Sequence, residues 1–132
     1  METNNNGKVK VLITDDHALF RTGVKTSLSH YSDIEFIGEA ENGMQLLNMV
    51  KFLKPDVILL DIQMPIMDGW CASAYIKDIE PKTQIIAYSS QENPKIKDTS
   101  KSDSLDAFCK KDTATPELIK LVRELGKRVA NQ

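Results

Sequence analysis

Residues 55–79 read PDVILLDIQMPIMDGWCASAYIKDI, and this stretch decides the fold. Val57, Ile58, Leu59 and Leu60 form a continuous apolar run. A short run without polar alternation predicts a strand buried on both faces, as in a parallel sheet covered on each side. Asp61 follows directly. Further on, Ala72, Ile76 and Ile79 recur at i, i+4 and i+7, which places one apolar stripe on a helix. The unit is therefore a buried strand, an acidic end, a loop and a helix. Pro55 stands just before the strand, where a preceding helix should end.

The same unit recurs in both directions. Val9–Ile13 and Ile85–Tyr88 are further compact apolar runs. Ile34–Ile37 and Ala107–Cys109 are weaker and suit the edges of a sheet. Helical spacing appears at Phe20, Val24 and Leu28, and again at Leu46, Val50 and Leu53 with Leu47 beside them. It returns at Leu118, Val122, Leu125 and Val129, after Thr115 as a predicted cap, Pro116 at the first helical position and Glu117 in the first turn. Pro81 punctuates the chain before the fourth strand. Residues 91–104, QENPKIKDTSKSDS, hold only one apolar side chain, Ile96; a weak, irregular helix is expected there. Five strands alternating with helices predict a parallel sheet with helices on both faces. Right-handed crossovers make it a doubly wound (βα)5 fold of the flavodoxin-like strand order 2-1-3-4-5.

Composition narrows the function classes. The chain has 132 residues, so one domain is expected over residues 9–130, after a disordered or extended N-terminus at 1–8. Lys and Arg number 17 against 19 Asp and Glu, a net charge of −2, without the basic excess of a nucleic-acid-binding surface. An apolar fraction of 41% suits a globular core, and a domain of this size buries roughly 65–70% of its unfolded surface, enough to fold without disulfide or structural metal. No apolar run approaches the roughly 20 residues of a membrane span, and METNNNGK lacks the apolar stretch of a signal peptide. Cys71 and Cys109 form no CxxC, which fits a reduced, cytoplasmic protein; both are expected to be core or subsurface thiols.

Ligands of doubly wound sheets bind outside the carboxyl ends of the strands. There this sequence places Asp15-Asp16, Asp61, Ser89-Ser90 and Lys110-Lys111 after strands one, three, four and five. Singly, an Asp pair after a strand most often caps a helix, a Ser pair makes a turn, and a Lys pair is solvated surface. Together at one end of neighbouring strands, three carboxylates repel one another until a proton or a hard cation relieves them. Oxygen donors with spare water positions suit Mg²⁺. Mg²⁺ with a lysine and a hydroxyl is the set that neutralises and orients a phosphoryl group, and a carboxylate can itself be the nucleophile.

At this point the sequence resembles a known family, the two-component response-regulator receiver domain. Residues 61–69, DIQMPIMDG, reproduce the family's D-(L or I)-x-M-P-x-M-D-G segment. ITDDHALFRTGV (13–24) and AFCKKDTATPEL (107–118) resemble the start and end of its NarL/FixJ (LuxR-type) subfamily. The resemblance implies that Asp61 accepts phosphate from a sensor histidine kinase or a phosphotransfer protein. It implies that Asp16 binds Mg²⁺ (or Mn²⁺) directly, Asp15 directly or through water, and that the backbone carbonyl of Gln63 completes the protein ligands. Ser89 would bond the phosphoryl group, the Ser90 N–H would help, and Lys111 rather than Lys110 would pair with it. Phe108, three residues before that lysine, would be the switch aromatic.

Some positions depart from the family pattern. Phe108 carries no hydroxyl, Asp112 replaces the Pro common in the wider family, and Ser104-Leu105 replaces its Gly-Ala. The subfamily normally carries a helix-turn-helix domain after the receiver, and this sequence stops at Gln132. The expected function is the input half of a DNA-binding regulator, able to dimerise on phosphorylation, with no nucleic-acid or membrane contact of its own. The alternatives are a stand-alone relay or adaptor and a phosphorylation-independent interaction module. The expected chemistry is self-phosphotransfer and slow autodephosphorylation rather than enzymatic turnover. A haloacid-dehalogenase-type phosphatase needs a second Asp where Gln63 stands, and a flavodoxin needs a Ser/Thr/Gly loop where Asp15-Asp16-His17 stands. His17 is expected to be exposed at the start of helix one, His30 to end that helix, and Trp70 to pack near the start of helix three.

Overall fold

The computed structural model describes residues 7–64, 67–90 and 104–130. Along the chain run β1 (Val9–Thr14), α1 (Ala18–Leu28), β2 (Ile34–Ala40), α2 (Gly43–Leu53), β3 (Val57–Asp61), α3 (Gly69–Ile79), β4 (Gln84–Ser89), β5 (Ala107–Lys110) and α4 (Thr115–Ala130). All adjacent strand pairs are parallel, in the order β2-β1-β3-β4-β5. The two weakly apolar strands, β2 and β5, are the edges.

Period-two geometry explains the layers. Val57 and Leu59 point into one core with Val24 and Leu28 of α1 and Leu118, Val122 and Leu125 of α4. Ile58 and Leu60 point into the other, with Leu46 and Val50 of α2 and Ala72 and Ile76 of α3. All four of these apolar β3 side chains are fully buried. Helix starts and stops are local. Asn42 Oδ1 accepts from the Gln45 N–H (2.9 Å), and Asp68 Oδ1 from the Cys71 N–H (2.9 Å). α2 ends on Lys54 in the left-handed region (φ 48°), immediately before Pro55.

Two expectations need adjustment. Thr115 does not cap the last helix. The Ala114 carbonyl already accepts from Leu118 (3.1 Å), so Thr115 is the first helical residue and Pro116 the second. A proline fits there too, since the first turn's N–H groups have no partner within the helix. The irregular helix expected over 91–104 falls, except for Ser104, outside the described residues. Ser104 sits in a buried turn, its hydroxyl 2.7 Å from that of Ser73 on α3.

Candidate functional site

The parallel strands end together, and the acidic residues sit where they end. Asp61 is the last residue of β3. Asp15 follows β1, and its N–H still bonds the Ala40 carbonyl at the end of β2 (3.0 Å). Both carboxylates are used alike. Asp15 Oδ1 accepts the N–H of His17 (2.8 Å), and Asp61 Oδ1 accepts the N–H of Gln63 (2.9 Å). Such bonds to the N–H two residues on turn the chain away from the strand. They leave the two Oδ2 atoms facing one pocket. Lys111 Nζ lies between them, 2.7 Å from Asp15 and 3.2 Å from Asp61.

Lys111 is held from several sides. Its N–H bonds the Ser89 carbonyl (2.8 Å), tying the end of β5 to the end of β4. Its ammonium lies 4.5 Å from the centroid of the Phe20 ring, which meets Tyr88 edge-to-face at 5.4 Å. Lys110 ends β5, paired in register with Ser89 of β4. The structure thus brings Lys111 Nζ into the pocket.

Electrostatics follow from burial and pairing. Burial pushes the Asp15 carboxyl up, but Lys111 and the His17 N–H outweigh it, so Asp15 lies below the usual carboxylate range. Burial dominates at Asp61 and, helped by the charge of Asp15, holds it above that range despite Gln63 and Lys111. Lys111 loses by burial but gains more from Asp15 and Asp61, and its ammonium is held above its ordinary value.

The other candidate residues are arranged around this centre. Asp16 is exposed at the rim. Ser89 ends β4 fully buried, while Ser90 and Gln63 are exposed. Phe108 lies on β5 and is 39% exposed. Trp70 is half-buried in the first turn of α3, Cys71 is partly buried and Cys109 buried. His30 follows the end of α1, and it and His17 are exposed.

Three contributors escaped the sequence reading. Arg21 on α1 is buried and donates to the Asp15 carbonyl (2.6 Å) and to Glu39 (2.7 Å), bracing the turn that carries Asp15. Gly69 opens α3 against the end of β3; a Cβ there would lie 2.6 Å from Ile62 Cα and 2.7 Å from the Asp61 carbonyl oxygen. His17 turns its ring toward Asp15 and Asp16, each 3.1 Å from Nδ1.

One ligand atom each from Asp15, Asp16, His17 and Asp61 lie within 4.8 Å of one another. Three carboxylates face one lysine, which leaves two negative charges; Arg21 is occupied by two glutamates and a carbonyl. A donor set dominated by carboxylate oxygen with that residual charge fits a hard divalent cation. Among the described residues no helix is long and apolar enough to cross a membrane.

Residues 11–123 match the model of the response regulator receiver domain. The chain is 36% identical over 120 residues to a probable transcriptional regulatory protein, NarL, of Mycobacterium tuberculosis, covering 91% of this chain and 56% of that protein. It is 39% identical over 124 residues to a protein-glutamate methylesterase/protein-glutamine glutaminase of Clostridium acetobutylicum, covering 92% of this chain and 36% of that one. The solved signal receiver domain of the putative response regulator NarL from M. tuberculosis superposes with a TM-score of 0.83 at 36% identity, covering 91% of this chain and 97% of that one. The chain thus spans little more than half of one curated relative and about a third of the other.

Proposed function

The chain belongs to the response regulator receiver family, and from that premise we propose that it is a phosphorylation switch whose phosphoacceptor is Asp61. The observation that carries this is the shared lysine: Asp15 Oδ2 and Asp61 Oδ2 converge on Lys111 Nζ at the mouth of the sheet. An Asp61 oxygen attacks the phosphorus of a kinase phosphohistidine. The P–N bond breaks, the imidazole leaves, and an acyl phosphate forms. Asp15, Asp16, Asp61 and the Gln63 carbonyl would hold Mg²⁺ or Mn²⁺, which supplies charge neutralisation at the phosphoryl oxygens. Lys111 is close enough to pair with the new phosphoryl group. The Ser89 hydroxyl and the Ser90 N–H, one strand away, are the other donors.

Phosphorylation replaces a carboxylate partner of Lys111 with a bulkier, more charged one. Because Lys111 is bonded through its backbone to Ser89, its movement is shared by the ends of β4 and β5, two residues beyond Phe108 on β5. The phosphoryl group thereby biases a two-state equilibrium of these loops. We read the setting as cytoplasmic, the phosphodonor as a sensor histidine kinase or phosphotransfer protein, and the output as transcription by an effector outside these residues, through a dimer formed on phosphorylation. The NarL likeness and the opening Asp15-Asp16-His17 support that output. The methylesterase likeness at similar identity favours, as a second reading, an enzymatic effector.

Amide resonances test the switch. With Mg²⁺ and a small acyl phosphate, those of Ser89, Ser90, Phe108 and Lys111 are expected to shift in the wild type and to stay at their Mg²⁺-only positions in Asp61→Asn. Identical spectra for the two proteins under these conditions would remove the switch from the account.

A further inference from the structure

His17 has no chemical role in the phosphotransfer read above. It stands at the N-cap of α1 (φ −99°, ψ 109°), yet its ring caps none of the helix's free N–H groups. Instead Nδ1 folds back to 3.1 Å from both Asp15 Oδ1 and Asp16 Oδ1. The side chain is 70% exposed, so packing does not force this placement; the carboxylates attract it. Its ring nitrogen belongs to the same four-residue group as the three aspartates. Two donors on one ion, with bonds of about 2.1 Å, stand at most about 4.2 Å apart, so a spread of 4.8 Å needs little closure.

We propose that His17 Nδ1 is a nitrogen ligand of this pocket, and that the chain therefore binds Ni²⁺, Co²⁺ and Zn²⁺ more tightly than its carboxylates alone would allow. The inference rests on the pocket being a divalent-cation site, as read above. Imidazole suits borderline transition ions, whereas carboxylate and water suit Mg²⁺ and Mn²⁺. Without metal, the tautomer with its hydrogen on Nδ1 donates to Asp15 Oδ1, and Asp16 Oδ1 stands at the same 3.1 Å. With metal, the tautomer carrying its hydrogen on Nε2 presents the Nδ1 lone pair to the ion. An exposed ring makes that exchange without rearranging the core. Mg²⁺ keeps its waters and dehydrates reluctantly, so it leaves the ring aside.

Calorimetric titration of the wild type and His17→Asn with Ni²⁺ and with Mg²⁺ tests this. Asn is a favourable N-cap, so the helix start survives the change. Ni²⁺ affinity is expected to fall about tenfold or more, in the range seen when metal-supporting residues are lost, while Mg²⁺ affinity moves by less than about twofold. In the Co²⁺ form, the wild type should show a hyperfine-shifted exchangeable imidazole proton that His17→Asn lacks. Equal Ni²⁺ affinity in the two proteins overturns the role of His17. Asp16→Ala separates this from the underlying reading: Mg²⁺ binding there as tight as in the wild type overturns the reading of the pocket as a whole.

Discussion

Lys111→Met is expected to destabilise the metal-free protein by about 3 kcal/mol, the range for removing one partner from a buried ion pair. Met matches the length of the lysine stem, so packing against Phe20 is largely kept and the loss is electrostatic. Asp15 and Asp61 then face each other without the cation that lies 2.7 Å and 3.2 Å from their Oδ2 atoms. Three carboxylates without a counter-charge also attract a divalent cation more strongly. Mg²⁺ should therefore restore more stability to the variant than it adds to the wild type. At ten times its dissociation constant, a ligand bound only by the folded state adds about 1.4 kcal/mol.

The pH dependence has a definite sign. Burial raises the Asp61 carboxyl in the folded state, so its contribution is present below the unfolded value and is lost as pH rises through the raised folded value. Asp15 is the reverse. Against the effect of burial, Lys111 and His17 lower it, so its contribution is present above the unfolded value and is lost as pH falls through the folded one. Removing Lys111 raises Asp61 further and takes away most of what lowers Asp15. The deficit of Lys111→Met should be largest at neutral pH and narrow as pH falls through the carboxylate range. Urea unfolding in chelator, with and without Mg²⁺, reads both effects. A variant as stable as the wild type at neutral pH in chelator contradicts the account of Lys111.

Gly69→Ala is expected to damage fold and site together. The added methyl would lie 2.6 Å from Ile62 Cα and 2.7 Å from the Asp61 carbonyl oxygen. Both are backbone atoms and cannot rotate aside. Either the first turn of α3 retreats or the Asp61–Ile62 peptide moves, and the Gly69 N–H to Ile62 carbonyl bond (3.2 Å) goes with it. Overpacking of this kind costs about 1–3 kcal/mol. Shifts of about 1 Å at a reacting group can slow a reaction by about a hundredfold, so phosphoryl incorporation should fall by at least about tenfold. Gly23→Ala is the control, since nothing lies within 4 Å of its added Cβ and Ala favours a helix by about 1 kcal/mol over Gly. Its melting temperature should rise while that of Gly69→Ala falls. Wild-type stability and wild-type phosphorylation of Gly69→Ala would show that the close contact is not needed.

Much of this molecule was legible because burial patterns are written into strands. Val57–Leu60 reads as a strand covered on both faces, and a carboxylate directly after such a strand falls at its end. The strand order then put Asp15 and Asp61 side by side. The choice of Lys111 over Lys110 came from the family's spacing; in the structure Lys111 Nζ lies 2.7 Å from Asp15 Oδ2 and 3.2 Å from Asp61 Oδ2. What stayed hidden depends on orientation rather than on residue type. An arginine on a helix reads as solvated, and nothing in the sequence says that Arg21 turns inward to the Asp15 carbonyl. The ring of His17 follows the field of its neighbours, which only their placement in space creates. Gly69 could have been suspected, being a glycine at a helix start rather than in a turn, yet the contact that requires it is tertiary. Thr115 misled for a simpler reason: the Ala114 carbonyl can open the helix without any side-chain cap.

The most direct measurement is the intact mass of the protein after exposure to Mg²⁺ and a small acyl phosphate. The wild type is expected to gain one phosphoryl group, to lose it again on standing, and to gain none in chelator; Asp61→Asn is expected to gain none under any condition. A wild type that gains no phosphoryl group, or an Asp61→Asn variant that gains one as readily, would contradict the assignment of Asp61 as the phosphoacceptor.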